Sequence, residues 1–146
     1  MRLTEIQEMW EQDSRIDETN LGRESTRVPT LHAKYLVYLS KVKLQLRKAE
    51  SDYYNTRRLK YRYYRGEMSK DELEDNGWVQ WQGNKPLKNE MDEFLQCDQN
   101  LIELQDKVEY FKTVIYTLEQ ILRSINSRTW DIKSAIEWSK FTNGMM

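Results

Sequence analysis

Between Tyr53 and Gly66 the sequence reads YYNTRRLKYRYYRG, five cationic side chains and five tyrosines with no acid among them. Guanidinium groups suit phosphates, and phenol rings offer flat faces to unstacked bases. Together they are the two ingredients of sequence-tolerant single-strand binding. On an α-helix Arg47, Tyr54, Arg58, Tyr61 and Arg65 fall on one stripe, at offsets of seven, four, three and four. Arg57 and Arg62 flank that stripe. Duplex DNA would satisfy the charges but keeps its bases stacked inside, leaving the tyrosines without a role. The blander reading is that Arg and Tyr stack on each other along an ordinary solvated face. Lys60 points about 200° away from Arg58 and continues the row Ala49, Tyr53, Thr56, Tyr63. One strand cannot lie against both faces of one helix. Either the two residues meet nucleic acid from different subunits, or one of them is structural.

Other chemistries find little support. None of the five glycines supplies a phosphate-cradling loop. His32 lies in a helical pattern, where a surface or packing role is expected. Cys97 has no nearby activating group and is expected to be a small buried apolar residue. One His and one Cys are too few for a zinc site, so neither metal nor cofactor is expected, and the chain reads as no enzyme. The acidic pairs Asp71-Glu72 and Glu74-Asp75 read as a solvated face.

The net charge of −1 conceals two opposed blocks. Residues 41–65 hold nine bases and two acids, a net of +7, whereas residues 67–106 hold three bases and eleven acids, a net of −8. Screening acts over about 8 Å at physiological salt, so the blocks are separate surfaces only if the fold keeps them apart. No apolar run approaches the roughly 18 residues that span a bilayer, and the acidic N-terminus lacks an apolar signal region. One cysteine fits a reducing compartment. A soluble intracellular chain is expected.

The elements that must position the stripe are helical. Thr4 to Gln7, TEIQ, reads as a capping box for a first helix ending near Asp13. A second start around Asp17 to Thr19 opens a long helix that stops at Gly66, with a bend expected near Val28 because Pro29 follows. Its buried row is Leu39, Val42, Leu46, Ala49 and Tyr53. Ser69 to Glu72 caps a short helix before Asn76-Gly77 and Gly83-Asn84 turns, and Trp78 and Trp81 between them are expected to anchor the loop. Further on, Leu101, Leu104, Val108, Phe111, Ile115, Leu118, Leu122 and Ile125 alternate steps of three and four, the period of a helix–helix seam. The row can pack on the second helix, and its width suggests that it serves oligomerisation too. Trp130, Ile132, Ile136 and Phe141 mark a final amphipathic stretch. The expected architecture is all-α: one helical domain over 1–146, with N-terminal helices to 66, an acidic Trp-bearing loop at 67–88 and assembly helices at 89–146.

Taken in order, the stretches MRL, QE, D..ID.T.L, LHAKYL and the KAE region through Tyr63-Tyr64 resemble the UvsY-type recombination mediator proteins of T-even-like bacteriophages. The closing segment, with NEM, LQCD and INSRTW.IK..I....F..G, is similar to that family's end. The resemblance covers about four-fifths of the chain and implies helical subunits in hexameric or heptameric rings. It further implies single-stranded DNA binding, and loading of the phage recombinase onto strands coated by the phage single-strand-binding protein, in the cytoplasm of the infected host. The family's basic-x-basic motif before a Tyr-Tyr pair falls here on Arg58 and Lys60, and its C-terminal helices drive assembly. Pro29 and residues 67–86 depart from the family pattern. The alternative class is a coiled-coil scaffold whose basic face meets acidic protein surfaces.

Overall fold

The computed structural model describes residues 2–144, and every regular element among them is a helix. The helices are α1 (Leu3–Asp13), α2 (Leu21–Tyr64), α3 (Lys70–Asn76), α4 (Met91–Gln96) and α5 (Gln99–Thr142).

Local chemistry explains the boundaries. α1 begins earlier than the Thr4 signal implied, because the Glu5 carboxylate accepts from the Arg2 backbone N–H at 3.0 Å. Asp17 closes a turn instead of starting α2, accepting from the Thr19 N–H at 3.0 Å. The cap of α2 is Asn20, whose side-chain oxygen accepts from the Arg23 N–H at 3.3 Å. α2 continues as helix through Pro29, beside which a bend was expected. Proline removes the donor for the Ser25 carbonyl, but both residues are exposed, so solvent can satisfy that acceptor. Ser69 caps α3 as expected, its hydroxyl accepting from the Glu72 N–H at 3.2 Å, and Gly77 ends it at a φ of +68°. The final amphipathic stretch is continuous with α5 and not a separate helix.

The chain forms two compact units: residues up to Leu44 with those from Phe111 onward, and Gln45–Tyr110. In the first, Ile6 of α1, Leu31, Tyr35, Leu39 and Val42 of α2, and Val114, Leu118, Ile121, Ile125 and Ile132 of α5 are buried. Much of the seam expected to serve assembly therefore lies inside one chain. Ile115 and Leu122 are 9% exposed, Leu118 and Ile125 are fully buried, and Phe111 is half-buried. In the second unit Val108 is buried and Leu104 half-buried. Leu118 is packed core within its own chain, so Leu118→Asp should unfold the unit, as read by circular dichroism.

The first unit also carries a buried ion pair. Arg128 donates to Glu24 Oε2 at 2.9 Å, to the Ser14 carbonyl at 3.0 Å and to the Arg15 carbonyl at 2.8 Å, tying α5 to α2 and to the α1–α2 turn. Burial pushes the Glu24 carboxyl up, but hydrogen bonds from Arg128 and Arg27 outweigh it and hold it below its ordinary 4.5. A carboxylate lowered in the folded state stabilises above its unfolded value, and that contribution disappears as pH falls through the folded value. The thermal midpoint should therefore drop as pH is taken below 4.5. Glu24→Gln should lower the midpoint at neutral pH and flatten its fall in acid, as read by circular dichroism melts across pH.

Candidate nucleic-acid interface

Within the unit Gln45–Tyr110, the C-terminal half of α2 displays one wet face and one dry face. The dry face carries the apolar row expected from the sequence, with Ala49 2% exposed and Leu46 and Tyr53 half-buried, and adds Tyr64 at 8%. Tyr64 packs with Met91, Leu95 and Leu101 from α4 and α5, and Tyr53, Tyr61, Tyr63, Trp81 and Phe94 cover this core. The tryptophans of the 78–86 loop are anchors. Trp78 and Trp81 meet Tyr63 with ring centroids 5.6 and 6.4 Å apart, and Trp81 stands edge-on to Tyr64 at 5.0 Å. The Tyr63 hydroxyl donates to the Val79 carbonyl, and Trp81 Nε1 donates to the Asn84 carbonyl at 3.1 Å. A methyl at Gly83 would collide with the Trp81 indole, so this close approach requires glycine.

Lys60 lies on the dry face. Its ammonium is 3.2 Å from Asp98 Oδ2, with side-chain exposures of 7% and 4%. It also sits 4.1 Å from the centre of the Trp78 ring and 4.9 Å from that of Tyr63. Asp98 accepts further from the Tyr64 hydroxyl at 2.6 Å and, as the cap of α5, from the Leu101 N–H at 3.1 Å. Burial, with the hydrogen bond to Asp98, pushes the Tyr64 hydroxyl well above the usual phenol range. Lys60, expected with Arg58 at the DNA surface, is here an ammonium enclosed by a carboxylate and two rings. The helical phase that sets it opposite Arg58 is the cause.

The wet face carries the rest. Arg47 and Arg58 are exposed and have no ion-pair partner among the described residues, and Tyr54 between them is 65% exposed. Tyr54, Arg57, Arg58, Tyr61, Arg62 and Glu67 line an open concavity of about 430 Å³. Acids from the downstream block cover three of the expected cations. Arg57 pairs with Asp92 at 3.3 Å, and Arg65 with Glu67 at 3.0 Å. Arg62 grips Glu72 with both terminal nitrogens, at 2.6 and 3.0 Å. The Arg62 hydrogen bond holds the Glu72 carboxyl at about 2. The opposed charge blocks are thus partly folded onto each other.

Two features escaped the sequence reading. Cys97, expected inside, is exposed, because the chain turns there between α4 and α5 and places Asp98 inward. Asp98 itself went unrecognised, although an Asp directly before the helical run QNLIELQDKV is an N-cap signal. Truncating one partner of a buried ion pair costs about 3–5 kcal/mol. Lys60→Ala should fall near the low end, about 3 kcal/mol, because Asp98 keeps two other donors. Urea denaturation of the variant beside Arg58→Ala, which should cost less than about 0.5 kcal/mol as an exposed substitution, checks this.

Residues 9–145 match the family model described as recombination, repair and ssDNA binding protein UvsY. The recombination protein uvsY of Enterobacteria phage T4 is 25% identical over 144 residues, covering 99% of both chains. Two crystal structures of the bacteriophage T4 recombination mediator protein UvsY share the fold. The lattice type II structure has a TM-score of 0.84 at 24% identity and covers 98% of each chain. The lattice type IV structure also has a TM-score of 0.84, at 24% identity, covering 97% of this chain and 99% of the other. With nearly its whole length matched by that model, the chain belongs to the UvsY family of recombination, repair and single-stranded DNA binding proteins.

Proposed function

We propose that this chain is an oligomeric single-stranded DNA binder that acts as a recombination mediator, loading a phage recombinase onto strands coated by single-strand-binding protein in the host cytoplasm. The activity is binding and hand-over, with no covalent bond made or broken. The observation that carries the reading is Arg58, exposed and without an ion-pair partner among the described residues, flanked on its stripe by Tyr54 and Tyr61. Arg47 extends the cationic path along α2. Phosphates take the guanidinium groups while unstacked bases lie on the phenol rings. Arg57, Arg62 and Arg65 join when phosphates displace their exposed carboxylate partners, since surface pairs of this kind are weak. No helix among the described residues is long and apolar enough to cross a membrane.

Assembly into a ring, as the resemblance implies, is assigned to the end of α5. Trp130, Trp138 and Phe141 are 69%, 65% and 62% exposed, and the last two rings are stacked at 5.7 Å. They share one stripe of the helix and offer the apolar surface that the buried seam no longer provides.

Two measurements test the reading. Fluorescence anisotropy of a labelled single strand across a salt series should show tight binding by the wild type. Replacing Arg47 and Arg58 by Ala should reduce the log–log salt slope by about 1.4, at about 0.7 for each phosphate left without its cation. Absence of wild-type binding at low salt would defeat the proposal. Trp138→Ala with Phe141→Ala should lower the assembly number in analytical ultracentrifugation without loss of helix content. An unchanged assembly would move the interface elsewhere.

A further inference from the structure

Tyr61 also lines a second concavity. Arg65, Lys85, Pro86, Leu87 and Lys88 line this groove of about 540 Å³ with Tyr61, above the buried Met91. The loop that carries Lys85 and Lys88 belongs by sequence to the acidic block, yet the fold returns its cations to the basic end of α2. Lys85 lies over the turn at Gly66, where an added methyl would stand 3.5 Å from its Cε and 3.9 Å from its Nζ. Neither Lys85 nor Lys88 has an ion-pair partner among the described residues. Between them Leu87 is 64% exposed, an apolar side chain offered to solvent beside free charges. The Arg65 guanidinium carbon is 5.7 Å from the Tyr61 ring centre, and Arg65 is paired with Glu67.

Resting on the single-strand reading above, we propose that this groove is a second nucleotide subsite, continuous with the α2 stripe across Tyr61. Lys85 and Lys88 neutralise successive phosphates of a single-stranded polynucleotide, and one unstacked base lies between the Tyr61 ring and Leu87. Charge complementarity selects a polyanion, and the paired aromatic and apolar walls select one with exposed bases over a duplex or an acidic peptide. The groove volume lies within the range of about 300–1,000 Å³ typical of small-ligand sites.

The test is anisotropy of labelled oligothymidylate against the full-length protein across a salt series. Lys85→Ala with Lys88→Ala should reduce the slope by about 1.4, two phosphates at about 0.7 each. Melting temperature and assembly size should stay unchanged, and Lys85→Arg with Lys88→Arg should restore the slope. Leu87→Ser should weaken binding to oligothymidylate but not to an abasic strand of equal length. If the wild type binds and the double alanine variant keeps its slope, the subsite is overturned while the α2 stripe stands. If Leu87→Ser weakens both strands equally, the base-holding role is overturned. If the wild type binds no single strand at all, the reading and the subsite fall together.

Discussion

The buried pair of Lys60 with Asp98 is the constraint on which the interface depends. Lys60 comes from α2, Asp98 caps α5, and Trp78 and Tyr63 close over the ammonium, so one charge fixes two helices and a loop. Desolvating the two ions is costly, and the geometry returns that cost through three donors on one carboxylate. The functional consequence is rotational. With Lys60 held inward, the phase of α2 is settled, and Arg47, Tyr54 and Arg58 face outward, with Tyr61 at the edge of the core. Two basic residues separated by one position thereby take opposite environments: Lys60 is buried against Asp98, and Arg58 is exposed.

Electrostatics on the wet face is a balance between affinity and restraint. The acids of the downstream block reach back to Arg57, Arg62 and Arg65 and leave Arg47 and Arg58 unpaired among the described residues. These pairs are exposed or half-exposed, so each is weak and open to exchange with a phosphate oxygen. Arg62 with Glu72 is the firmest, because it is bidentate and Glu72 also caps α3. A mediator must both hold DNA and give it up. A cationic face with built-in carboxylate competitors suits hand-over better than an uncompensated one would.

Much of this was legible in the sequence, for identifiable reasons. The stripe from Arg47 to Arg65 and the buried row through Ala49 and Tyr53 follow from helical periodicity alone, and both are present. The Ser69 cap was readable because its partner lies three residues away. Long-range choices were not. The phase of Lys60 placed it on the buried row, but only knowledge of Asp98, distant in sequence, shows that a lysine can reside there. The seam through Leu118 and Ile125 announces a helix partner without saying whether that partner is the same chain or another copy. Pro29 is tolerated inside α2, where its cost depends in part on solvent access to one carbonyl, which sequence does not reveal. Cys97 lies outside and Asp98 inside because the α4–α5 turn, and not polarity, decides which side chain points inward.

Residue-specific labelling with and without DNA tests the division of roles most directly. Brief treatment of the folded protein with an amine-acylating reagent and an arginine-selective dicarbonyl, read by mass spectrometry, reports each side chain's access to solvent. Arg58 should react readily in the free protein and be protected by oligothymidylate, whereas Lys60 should be inert in both states. A Lys60 that reacts in the free protein and is protected by DNA would contradict the buried pair and return that residue to the contact surface.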